Sequence, residues 1–152
     1  MKIYNIKDKL EYLEEIAVLT QKEWGKYKDE SEFKNKIVRK IKKIYDNLDN
    51  NNYCKLILLD NDKLVGFISI FPTDGLERTD LTPWYATMYV KQEYRGLGYS
   101  KILNDAILKE AKLRGFDKIY LKSDLVNYYE KFGAIYMEDL KSNEKLYYFK
   151  LK

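Results

Sequence analysis

Residues 89–103 read YVKQEYRGLGYSKIL, and the fold turns on how this stretch changes periodicity. It breaks off an apolar run, passes Gly96 and Gly98, and resumes with Ile102, Leu103, Ala106 and Ile107 at helical spacing. Immediately upstream, WYATMYV (84–90) is a short apolar and aromatic run that predicts a central strand. Downstream, the helix predicted from Ile102 onward closes with Lys112, Arg114 and Gly115, a basic last turn and a glycine stop. KIYLKS (118–123) follows at once as another strand. Two strands joined through a helix pair in parallel by a right-handed crossover, with the helix covering the sheet. Arg95, Gly96 and Gly98 therefore stand where a strand hands over to a helix.

Residues 2–6 predict a first strand, and Leu10, Leu13, Ile16 and Ala17 repeat at helical spacing toward Trp24 and Gly25. A second helix starts near Asp29, with Glu32 in a capping-box relation and Phe33, Ile37, Ile41, Ile44 and Leu48 as its apolar face. Its opposite face carries Lys34, Lys36, Arg39, Lys40, Lys42 and Lys43. No aromatic platform lies beside these cations, so a solvated face is preferred over a nucleic-acid patch. YCKLILLD (53–60) and KLVGFISIF (63–71) flank a DND turn and read as a hairpin. The segment 72–83 holds both prolines and is a loop. A short helix is expected over LVNYYEKFG (125–133), then strands over AIYMED (134–139) and KLYYFKL (145–151). The expected architecture is mixed α/β: one domain over 1–152, a central mixed sheet flanked by about four helices.

Composition narrows the chemistry. A chain of 152 residues, 45% hydrophobic and 34% charged, buries a sizeable core and is not disordered. The net charge of +4 favours anionic ligands only modestly, because both signs are spread along the chain. The absence of histidine and the single Cys54 exclude a disulfide scaffold, histidine acid–base chemistry and the common zinc ligand sets; a carboxylate site for a hard metal stays open by composition, and no metal is expected. The longest apolar stretch, LVGFISIFP (64–72), is too short to span a bilayer, which makes a cytoplasmic location without membrane attachment the expectation.

A strand-to-helix turn built on glycine suits an anion. The first N–H groups of a helix lack intrahelical partners, the aligned dipoles leave positive charge there, and glycines let the backbone approach a phosphate closely. Arg95 adds a permanent cation. A tight turn with no ligand is the competing reading of the two glycines. A P-loop is excluded by glycine spacing and residue order, although Ser100-Lys101 is nearby. A dinucleotide fingerprint is excluded because position 101 is Lys where a third glycine is needed.

The run Arg95-Gly96-Leu97-Gly98-Tyr99-Ser100 resembles the acetyl-CoA loop of the GNAT N-acetyltransferases, Arg/Gln-x-x-Gly-x-Gly/Ala, with Ser100 replacing the last small residue. Downstream, YYEKFGA (128–134) is similar to that family's second signature, Ala134 standing where Phe or Trp is frequent. The resemblance implies acetyl-CoA as co-substrate, with parallel central strands that splay. It implies that the backbone of Met88, Tyr89 and Val90 pairs with the pantetheine arm. Amides from Arg95, Gly96, Leu97, Gly98, Tyr99 and Ser100 would hold the diphosphate, and Asn127 would touch the cofactor.

Tyr129 matches the tyrosine that protonates the departing thiolate; core packing is the rival reading in a chain with 15 tyrosines. The reaction implied is direct attack of a primary amine on the thioester within a ternary complex. Strand alternation makes Trp84, Tyr85 and Tyr89 candidate walls of an acceptor pocket. WYATMYV carries no carboxylate, so a base is sought at Glu77 or Asp80, or at Asp29, Glu30 or Glu32. An amino acid, a polyamine, an aminoglycoside, and a protein N-terminus or lysine remain open as acceptors. A monomer or homodimer is expected, with no nucleic-acid partner. A non-catalytic acyl-CoA-binding module is the alternative.

Overall fold

A computed structural model describes residues 1–152. The strands are β1 (Lys2–Asn5), β2 (Cys54–Asp60), β3 (Lys63–Phe71), β4 (Trp84–Val90), β5 (Lys118–Ser123), β6 (Ile135–Asp139) and β7 (Lys145–Lys150). They form one seven-stranded sheet in the order β1-β2-β3-β4-β5-β7-β6. Three α-helices complete the fold: α1 (Leu13–Trp24), α2 (Glu30–Asp46) and α3 (Tyr99–Leu113). None is long and apolar enough to cross a membrane.

Alternation along β2 and β3 explains how the helices are distributed. Leu56, Leu58, Val65, Ile68 and Ile70 meet Leu103, Ile107 and Ala111 of α3 in one core cluster. Ile57, Leu59, Leu64 and Phe67 meet Leu13 and Ile16 of α1 and Ile44 of α2 in another. Both faces of the central strands are covered, which is why β2 and β3 read as nearly continuous apolar runs. Asp29 caps α2 by accepting the Glu32 N–H at 2.8 Å. The Glu32 carboxylate reaches back to the Lys28 N–H at 3.2 Å, one residue beyond the expected box.

The expected fourth helix is the main departure. Residues 130–132 form a single 3-10 turn, ended by Gly133 at φ 100°. One turn fixes too few residues to repay helix nucleation, and the glycine stops it there.

Two irregularities at β4 position everything that follows. β4 and β5 pair in parallel at one register position, Trp84 with Tyr120, and then diverge. On its other edge β4 bulges against β3, where Phe67 pairs with Tyr89 and Ser69 with Ala86. Thr87, inside the bulge, has φ 50°, an outlier for a β-branched residue. Opposite Val90 sits Gly66, where a Cβ would collide with the Tyr89 carbonyl oxygen. Glycine there lets the bulged end of β4 lie close against β3.

Candidate active site

Two cavities open along the divergence of β4 and β5. The first, about 770 Å³, is walled by Met88, Tyr89 and Val90 on one side and by the turn from Arg95 to Ser100 on the other. Gly96 and Gly98 have φ 77° and 86°, and no atom lies within 4 Å of where a Cβ would stand on either. α3 starts from Gly98 with no side-chain cap, so its first N–H groups face the cavity unpartnered. Arg95 donates from Nε to the Val90 carbonyl at 2.8 Å and holds its guanidinium 5.6 Å from the Tyr89 ring centroid. A fixed cation, bare glycines and free amides together suit a diphosphate, so the residues fit coenzyme A.

The second cavity, about 620 Å³, is lined by Glu23 and Trp24 at the end of α1, Asp74 after β3, Tyr85 to Met88 of β4, and Glu144 before β7. Its carboxylates are Glu23, Asp74, Asp124 and Glu144, set against the single cation Lys122. Burial raises the Asp74 carboxyl, with Lys122 and then Lys43 pulling it back. Glu23, Met88, Leu125 and Tyr129 line both cavities and mark where the two meet.

Tyr129 is half-buried at that junction, its ring 4.8 Å from Tyr128 and 5.7 Å from Tyr85, both edge-on. Burial first, then Tyr128, pushes its hydroxyl up to about 12, so it is protonated at neutral pH. Tyr85 is held in place by its hydroxyl, which donates to Asn104 Oδ1 of α3 at 2.8 Å.

A family model, described as "Acetyltransferase (GNAT) family", matches residues 11–134. The chain belongs to the GNAT family. It is 33% identical over 82 residues to N-alpha-acetyltransferase 30 of Schizosaccharomyces pombe (strain 972 / ATCC 24843), a match covering 51% of this chain and 54% of that protein. The chain thus spans about half the length of this curated relative. Among solved structures, the GNAT fold is matched by aminoglycoside 6'-acetyltransferase type Ii, with TM-score 0.71, 18% identity, and coverage of 100% of this chain and 98% of that one. An aminoglycoside 6'-N-acetyltransferase complexed with coenzyme A matches with TM-score 0.69 and 16% identity over the same shares.

Within this GNAT domain the expected cofactor residues divide. Met88, Tyr89, Val90, Arg95, Gly96, Gly98, Tyr99 and Ser100 stand on the first cavity's wall. Leu97 is exposed and Asn127 is exposed with φ 57°, and neither lines either of the two cavities. Of the acceptor candidates, Tyr85 lines the second cavity, whereas Tyr89 stacks on Phe67 at 5.3 Å and lines only the first.

The remaining candidates hold structure together. Trp84 is fully buried with Leu140 and Leu146, its indole donating to the Leu81 carbonyl at 2.8 Å. Glu77 accepts the Lys141 and Ser142 N–H groups at 2.8 and 3.1 Å, which lowers its carboxyl, the Lys141 bond first. Asp80 pairs with Arg78 at 3.0 Å. Asp29 caps α2, while Glu30 and Glu32 pair with Lys34 and Lys36 one turn on. All six lie outside both cavities. Sequence reasoning missed Glu23, Trp24, Asp74, Asp124 and Glu144, which come together only through the fold. The one local signal is Trp24, a large apolar side chain left 48% exposed at a helix end.

Proposed function

We propose that this chain transfers the acetyl group of acetyl-CoA to a primary amine of a small molecule bearing more than one positive charge. The observation that carries the proposal is the meeting of the two cavities at Tyr129, a diphosphate-suited turn on one side and a carboxylate-rich chamber on the other. The matching aminoglycoside acetyltransferase structures are consistent with a polycationic acceptor. Aminoglycosides and polyamines share the chemistry that four carboxylates around one lysine would select.

Acetyl-CoA supplies the activated acetyl thioester. The chain's own residues do the rest. Amides at the start of α3 and the Arg95 guanidinium bind the diphosphate. β4 beyond Trp84 has no strand partner on the β5 side, so main-chain groups of residues 88–90 on that edge, apart from the Val90 carbonyl that Arg95 holds, are available to the pantetheine amides. Glu23, at the junction, draws the acceptor ammonium toward the thioester. The Tyr129 hydroxyl delivers a proton to the departing sulfur.

Calorimetry with coenzyme A, followed by an amine screen that reads thiol release, tests the reading. Tyr129→Phe is expected to bind coenzyme A as the parent does and to lose about 100-fold in kcat, the usual contribution of one positioned acid. Binding without thiol release from any amine would favour the non-catalytic module, and an unchanged kcat would remove Tyr129 from the acid role.

A further inference from the structure

β2 buries both of its faces, so its one internal charged residue, Lys55, has no solvent side to turn to and is 2% exposed. Its Nζ lies 2.5 Å from Ser69 Oγ, donating to it as an ammonium and able to accept the Ser69 hydroxyl proton as a neutral amine, and stands 5.2 and 5.5 Å from the ring centroids of Phe67 and Phe71. The titratable groups that act on it are Lys40 and Lys43 from α2 and, from the opposite face of its own strand, Cys54, with no carboxylate among them. An ammonium taken out of water without a counter-charge is strongly disfavoured. Burial first, with Lys40 and Lys43 adding to it and Cys54 opposing, brings this amine down to about 7.

The amine is connected to the second cavity. Lys55 and Ser69 are cross-strand partners, and Ser69 Oγ lies 2.7 Å from Thr87 Oγ1 with either hydroxyl able to donate. Thr87 lines the carboxylate-rich cavity. In a regular strand the residue after Ala86 would point to the opposite face. The β4 bulge and the positive φ of Thr87 turn its hydroxyl to Ser69 instead. Such strain in a β-branched residue persists where the surroundings hold it, and here it joins a buried base to a pocket wall.

We propose that Thr87, Ser69 and Lys55 form a proton relay that deprotonates the acceptor ammonium before it attacks, Lys55 being the terminal base. The proposal rests on the acetyl-transfer reading. An N–H bond of the ammonium breaks and its proton goes to Thr87 Oγ1. The Thr87 hydroxyl proton passes to Ser69 Oγ, and the Ser69 proton passes to the lone pair of Lys55 Nζ. The acceptor is left as a neutral amine, both hydroxyls keep one hydrogen each, and the positive charge resides on Lys55 beside two aromatic faces. After turnover the proton returns along the same hydroxyls to water in the emptied cavity. Lys55 acts through its neighbours and is a positioning residue in this sense. Asp74, on the same cavity, is the rival base.

The test is the pH dependence of kcat/KM with acetyl-CoA and either spermidine or kanamycin as probe, for the parent, Lys55→Met, Ser69→Ala and Asp74→Asn. The parent should gain activity as pH rises through about 7. Lys55→Met and Ser69→Ala should each lose about 100-fold at neutral pH, the scale of one general base. Both should recover as pH approaches the pKa of the acceptor ammonium itself, which like-charge repulsion within a polycation keeps at or below that of an isolated alkyl amine, about 10.4. Lys55→Met should bind coenzyme A normally and melt no lower than the parent, which a merely structural lysine would not allow. Carbon-13 NMR of the Lys55 ε-methylene reads the same group without turnover, and a Lys55 still protonated at pH 9 overturns the relay. A parent-like profile in Lys55→Met or Ser69→Ala, or loss of the limb in Asp74→Asn alone, also overturns it while leaving acetyl transfer standing. Coenzyme A binding with no probe acetylated by the parent removes both readings.

Discussion

The two cavities that meet at Tyr129 are built by opposite means. The first is mostly main chain: a diverging strand edge, two glycines and the bare start of a helix, drawn from residues 88–101 with a few side chains closing over them. The second is mostly side chain, assembled from the end of α1, the loop after β3, β4, the segment after β5 and the turn before β7. A backbone cradle must be contiguous, because consecutive amides make it. A charged chamber need not be, because any element that reaches the cavity can contribute a carboxylate. On the proposed reading, the contrast separates what the fold fixes, binding of a common diphosphate, from what is free to vary, the choice of acceptor.

The sharpest way to break this comparison is Gly98→Val. Left-handed backbone costs a residue with a side chain about 1–2 kcal/mol, and the branched Cβ also shields amides that would contact the diphosphate. Coenzyme A affinity should fall about 100-fold, at 1.4 kcal/mol per factor of ten. Leu97→Val, one position away and exposed, should leave it unchanged by calorimetry. If both behave alike, the cradle is not made of main chain.

Glu23→Gln probes the other side. Steady-state kinetics should show KM for a polycationic amine rising about tenfold, the worth of roughly 1.4 kcal/mol, with coenzyme A affinity unaltered and the difference shrinking as salt is added. An equal loss with a monoamine would mean that charge selection lies elsewhere.

The smallest effect is expected at Glu77. Glu77→Gln should leave kcat and KM within about twofold, since loop substitutions remote from a site are usually near neutral. Its signature is in stability. The Lys141 and Ser142 amides hold the parent carboxyl below its ordinary range. Its stabilisation is therefore complete above the unfolded pKa of about 4.3 and lost on acidification through the lower folded value. Thermal denaturation between neutral and acid pH should show that sensitivity in the parent and less of it in the variant.

The same contrast explains what was legible in the sequence. The crossover from β4 through α3 to β5 was readable because apolar period, glycines and basic closing turn lie side by side. Arg95, Gly96 and Gly98 were readable for the same reason. Trp84 misled because an aromatic on a strand next to a site is equally suited to a core, and only the fold puts Leu140 and Leu146 against it. Glu77 and Asp80 misled because acids close in sequence to β4 are occupied by the Lys141–Ser142 amides and by Arg78. Lys55 passes unnoticed in the apolar run CKLILL, because its meaning depends on Ser69, on a bulge that no periodicity announces, and on Gly66 permitting that bulge.

One rung of main-chain pairing, Trp84 with Tyr120, unites the four strands on the N-terminal side with the three on the C-terminal side. A molecule joined so sparingly along its middle should breathe there first, with amides of β5 exchanging with solvent on the edge facing β4 sooner than those facing β7. The shared core under α3 keeps the halves together from one side; whatever lodges in the cleft becomes a wedge and a splint together, so on the acetyl-transfer reading the same occupant that is consumed also stiffens the seam.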